Sequence, residues 1–230
     1  MAKTNNETAK DDFTSKYERA IRKILKDRRT VEIIKTAKTE DPNGYREMYK
    51  RISDAVPLIL EKENCIKILP MIVYGWMPTI LGKSKWDESI VNLLGCKPDE
   101  LLDEDLDKLL HFVNDSFIGV SKLLHFTNPK YWAIWDSNVY AAIEYVAEKE
   151  PKYNLSQFLK PNYSLVNNKK RFIAYQTAIR EVSKNCAKEI RKIEKFLFEV
   201  SEEREPKIRI IEECLFYVGR DLESFAQQSR

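Results

Sequence analysis

The stretch KLLHFTNPKYWAIWDSNVYAAI, residues 122 to 143, holds the side chains best placed to do chemistry. An apolar run breaks at Asn128-Pro129 and two tryptophans follow. One carboxylate, Asp136, then stands between Trp135 and Ser137 at the start of a helical pattern. Aspartate is a favoured N-cap residue, because its carboxylate accepts backbone N–H groups that fix its direction and favour negative charge. Walled by aromatic side chains that exclude water, such a carboxylate acts as a fixed negative charge in a lower-dielectric site. The same aspartate also makes a sound helix start with no catalysis at all.

The preceding run, DLDKLLHFVNDSFIGVSKLLHF, reads as helix, short turn, helix, with Gly119 in the turn between Ile118 and Val120. Glycine permits the tight backbone, and its apolar neighbours pin the hairpin onto a core. N–H groups at the start of the second helix then point outward, where a phosphate binds.

In this order the elements resemble the helix-hairpin-helix DNA glycosylase superfamily, the group that includes endonuclease III, 8-oxoguanine glycosylase and 3-methyladenine glycosylase. The resemblance covers residues 106 to 143. FIGVSK stands for the family's Leu-Pro-Gly-Val-Gly hairpin, NPKYWAIW for its Gly/Pro loop, and DSNVYAAI for the aspartate and its helix. Three departures mark a divergent member: Ile118 replaces the proline, Ser121 replaces the second glycine, and the interval from hairpin to aspartate is shorter. The resemblance implies an all-α, endonuclease III-like fold of two helical lobes, with Asp136 as the catalytic aspartate and Gly119, Ser121 and Lys122 against DNA. Bifunctional members carry a lysine nucleophile after the hairpin. Aligned on Gly-Val without a gap, that column falls on Leu123, with Lys122 beside it as the one candidate amine. The expected enzyme is therefore monofunctional, using water and leaving an abasic site, with Lys122 as a phosphate contact or a solvated charge. The divergence fits an enzyme acting on damaged bases or on modified bases of phage DNA. A helix-hairpin-helix module that binds DNA without excision is the alternative, and a helical protein-interaction module is a third.

Excising a base from a duplex requires flipping it into a pocket with aromatic walls. Tyr74 and Trp76, in YGWMPTILGKSKW, and Trp135 are the candidates; Gly75 and Pro78 mark an irregular segment that makes Trp76 the best stacking residue. His125 is a candidate to polarise a substrate. An ordinary core role competes for Trp76, Trp135 and His125. Lys169, Lys170 and Arg171 open a basic run that lines a DNA backbone in this reading, followed by Arg180, Lys184, Lys188, Arg191 and Lys192.

The elements that must position these residues are helical. Ser15-x-x-Glu18 reads as a capping box opening a helix to about Lys38, followed by a DPNG turn and a second helix with Tyr45, Met48, Tyr49, Ile52, Val56 and Ile59 at helical spacing. The run 65–78 fits a buried helix or a strand, and Pro70 argues against a central strand. Further helices are expected from SKWDESIVNLLG, from PDELLDEDLDKLLHFVND, from Ser137 to about Lys149, over 168–203, and after Pro206. The expected division is residues 1–60 packed with 150–230, and 61–149 carrying hairpin and aspartate.

The 230 residues carry a net charge of +3, unevenly spread. Residues 16–38 hold nine Lys/Arg against three acids, residues 87–115 nine acids against two lysines, and residues 160–195 ten Lys/Arg against three acids. Two basic segments around an acidic one suggest a polyanion partner touching some faces and not others. No apolar stretch approaches the roughly 18 residues that cross a bilayer, and the N-terminal residues lack an apolar leader core, so a cytoplasmic protein is expected. Cys65, Cys96, Cys186 and Cys214 are too far apart for a zinc site or an iron–sulfur cluster. No metal or cofactor is expected.

Overall fold

The protein, seen in a computed structural model, is described over residues 5–39, 44–62, 65–75, 88–147, 163–198 and 205–222. Every regular element among these is helical, which makes the fold all-α. None of the described helices is long and apolar enough to cross a membrane. The chain divides into two units, residues 1–40 with 135–230, and residues 41–134. The boundaries expected at 60 and 149 thus move to 40 and 134. Asp136 consequently belongs to a different unit from the hairpin that precedes it.

The first unit contains α1 (Asn5–Lys26), α2 (Arg28–Thr39), α8 (Ser137–Ala147), α9 (Tyr163–Val166), α10 (Lys169–Asn185), α11 (Ala187–Leu197) and α12 (Lys207–Arg220); the second contains the helices within residues 45–127. The expected single helix from Ser15 to Lys38 begins at Asn5 and breaks at Asp27. There Asp27 accepts the backbone N–H and the guanidinium of Arg29, and Thr30 Oγ1 donates to the Ile24 carbonyl. These side-chain bonds compete with the helical ladder and stop it. The helix expected over 168–203 is likewise broken at Cys186, whose ψ of 41° departs from the helical value.

In this unit α1 packs on α8 and α10, and α12 crosses α8 and α2. Tyr17, Ile21 and Ile24 of α1, Phe172, Tyr175 and Ile179 of α10, and Ile211, Leu215 and Val218 of α12 are buried, the inward stripes of amphipathic helices. The crossing of α12 on α8 is very close. A Cβ added at Gly219 would lie 1.9 Å from the Asn138 carbonyl oxygen, in the first turn of α8. Gly219→Ala must push the two backbones apart. We expect a loss of about 3 kcal/mol in the denaturant-unfolding midpoint analysis, the upper part of the usual range for overpacking; an unchanged midpoint would mean the crossing yields freely.

In the second unit α3 (Tyr45–Leu60), α4 (Cys65–Gly75), α5 (Val91–Leu94) and α6 (Asp103–Phe112) surround α7 (Phe117–Thr127). The run 65–78 therefore begins as a helix, with Pro70 inside it. Apart from Ile118, every residue from Phe117 to Phe126 is buried, so α7 is the core helix of the unit. It begins with a Ser116 cap whose Oγ accepts the Gly119 N–H. The turn before it uses Asn114 and Asp115 at φ 54° and 52°, the left-handed region that short polar side chains tolerate best.

Candidate active site

Asp136 enters through a rigid residue and leaves through a helix. Trp135 is fully buried, its Nε1 donates to the Val166 carbonyl, and its ring lies 4.8 Å from that of Tyr175. Asp136 then caps α8: its Oδ1 accepts the Val139 N–H at 2.9 Å and its carbonyl accepts the Tyr140 N–H at 2.9 Å. The side chain is half-buried, and Ser137 beside it is exposed. The half-buried carboxylate is thus held by backbone at the start of α8.

Its charge is felt by a cluster on α10 and α12. Arg209 bridges Glu212 at 2.5 Å and Glu213 at 3.0 Å, and all three are buried. Burial pushes the Glu212 carboxyl up to about 7; the Arg209 charge opposes this, while Glu213 and Asp136 add to it. Burial, with the charges of Glu212 and Asp136, likewise drives the Tyr175 hydroxyl well above its usual range. One guanidinium pairs with two glutamates here, and burial of the excess negative charge favours a proton on Glu212. Two carboxyl groups of one neighbourhood so acquire different environments, one at a helix N-terminus and one in the core.

The shift of Glu212 has a measurable sign. Its folded pKa lies above the 4.5 of the unfolded chain, so its contribution to stability is complete below pH 4.5 and is lost as the pH rises through 7. Glu212→Gln is expected to flatten the decline in unfolding free energy between pH 5 and pH 8, by on the order of 2–3 kcal/mol. Urea titrations at both values measure it, and an identical decline in wild type and variant would contradict the assignment.

The other residues singled out by sequence divide into four groups. Trp76 lies outside the described residues. Tyr74, His125 and Trp135 are core groups rather than pocket walls. Tyr74 is 7% exposed and its hydroxyl donates to the Val113 carbonyl at 2.7 Å. His125 is fully buried, with Nδ1 2.7 Å from the Trp132 carbonyl oxygen and Nε2 2.8 Å from the Tyr49 hydroxyl. It fastens the 128–134 loop to α7, as do Thr127 Oγ1 on the Leu94 carbonyl and Trp132 Nε1 on the Cys96 carbonyl.

Gly119, Ser121 and Lys122 are also buried, and so present no face to a phosphate. Gly119 stands inside α7 rather than in the turn, and a Cβ there would press on Val113 at 3.1 Å. Ser121 Oγ donates to the Ile118 carbonyl. The apolar character of FIGV, read as a pin beside the turn, reflects burial of the whole helix. Arg171 is corrected too. Its guanidinium contacts Glu144 at 2.5 Å, reaches the hydroxyls of Tyr17 and Tyr140, and lies over the Phe13 ring. It joins α10 to α8. Lys170 is exposed and Lys169 half-buried, at the start of α10.

No family model, curated protein or solved structure matches this chain. The site is therefore read from its own geometry.

Sequence reasoning missed Glu144, Arg209, Glu212 and Tyr175. The signal was present: Glu144 is the lone charge in SNVYAAIEYVA, and IRIIEECLFYV sets an arginine and two glutamates within an apolar helix. A charge among apolar residues at core spacing is either exposed at a boundary or buried with partners.

Proposed function

We propose that this chain is a monofunctional DNA N-glycosylase, excising a damaged or modified base flipped out of the duplex. The observation that carries the reading is Asp136, a half-buried carboxylate aimed by the Val139 N–H directly after the buried Trp135. It follows the order of elements that resembles the helix-hairpin-helix glycosylases. In this mechanism the base departs with the bonding electrons and positive charge grows on the sugar. Asp136 stabilises that charge electrostatically and holds the water that attacks the anomeric carbon. Burial of Lys122 supports water over an amine as the nucleophile. The Glu212 cluster beneath sets the field around Asp136.

The test is mass spectrometry of the small-molecule fraction after wild-type protein meets unmodified, damaged and phage-modified DNA. The reading expects a free base from at least one of them; none from any DNA speaks against it. A DNA-holding module without excision is the second reading, favoured by the cationic surface described next.

A further inference from the structure

We infer that the first unit holds the sugar-phosphate backbone of duplex DNA on a basic face made by α1 and α11. The face consists of two open grooves. One, of about 580 Å³, is lined on α11 by Lys188, Arg191, Lys192, Lys195 and Phe196. The other, of about 500 Å³, is lined on α1 by Arg19, Arg22, Lys23 and Lys26, together with Asp27. They abut, because α1 packs on α11 and the Arg22 guanidinium reaches Cys186 Sγ, next to Ala187 of the first groove.

Charge decides the partner. Asp27 is neutralised by Arg29 and Arg22 is paired with Glu18, but seven cations remain with no ion pair among the described residues: Arg19, Lys23, Lys26, Lys188, Arg191, Lys192 and Lys195. All seven are exposed. On each helix they recur at three- and four-residue intervals, which places them on one side over about 10 Å of axis. Such a concentration repels itself unless a polyanion covers it. An anionic membrane fits less well, since an interfacial helix turns its apolar stripe outward, whereas Ile190, Ile193 and Leu197 of α11 are buried inward. The polyanion follows from the charges alone; the choice of duplex DNA rests on the excision reading.

The experiment compares the full chain with Lys188→Gln/Arg191→Gln/Lys192→Gln/Lys195→Gln, and separately with Arg19→Gln/Lys23→Gln/Lys26→Gln. Affinity for an unmodified duplex is measured from 50 to 200 mM salt, with phosphatidylserine vesicles in parallel. Each phosphate contact contributes about −0.9 to the slope of log K against log salt. Five or six contacts predict an affinity loss of roughly 500- to 1,800-fold across that range for wild type. The α11 variant should have a slope shallower by about 3 and the α1 variant one shallower by about 2. Unchanged slopes in both variants, or retention on vesicles without duplex binding, overturn the proposal. Salt-sensitive duplex binding lost in these variants upholds it even where no base is released, so the two readings fail separately.

Discussion

Asp136→Asn is expected to lower the single-turnover rate of base release by about 10³-fold, near 4 kcal/mol of transition-state stabilisation. The fold should be untouched. Asparagine is as good an N-cap as aspartate, and its carbonyl oxygen takes over the Val139 N–H that Asp136 Oδ1 accepts. The substitution removes the charge and keeps the cap. Urea midpoint and duplex affinity should therefore match wild type while the rate collapses. Asp136→Ala removes charge and cap together, adding a stability loss of about 1 kcal/mol. A rate for Asp136→Asn within a few-fold of wild type would reduce Asp136 to a helix start.

The largest effect on stability is expected at Glu144. It is 2% exposed and accepts Lys16 Nζ at 3.1 Å, the Tyr17 hydroxyl at 2.8 Å and Arg171 at 2.5 Å, joining α1, α8 and α10. Burial, aided by the Glu144 charge, drives the Tyr17 hydroxyl far above its usual range, so Tyr17 keeps its proton, donating to Glu144 and accepting from Arg171. Glu144→Ala leaves the half-buried Arg171 guanidinium without its anion. Removing one partner of such a buried set costs about 3–5 kcal/mol. Glu144→Gln keeps an acceptor and should cost less. Urea unfolding at neutral pH compares them, and a loss below about 1 kcal/mol for the alanine variant would show that water readily replaces the carboxylate.

What the sequence disclosed follows from the range of the forces involved. Helices with one apolar stripe, such as the α3 run through Met48, Ile52 and Val56, are written in local periodicity, and so is the Asp136 cap on α8. The break at Asp27 was not legible, because it depends on Asp27 turning to Arg29 and Thr30 turning back to Ile24. The packing roles of Tyr74 and Arg171, and the partner that fixes His125 in its core role, were not legible for one reason. Their partners, Val113, Tyr49 and Glu144, lie 39, 76 and 27 residues away, and no spacing rule reaches that far. The basic segments were visible as composition. Only the fold separates Arg171, committed to the core, from Lys188 and Arg191, which line an open groove.

The central claim is that Asp136 supports base excision. Its most direct test incubates wild type and Asp136→Asn with unmodified, damaged and phage-modified DNA, with and without alkali, and scores strand breaks. Breaks are expected in wild type that require alkali, occur on at least one class of DNA, and disappear in the variant. Breaks equal in both proteins, or absent from every DNA under conditions where the protein binds duplex, would contradict it.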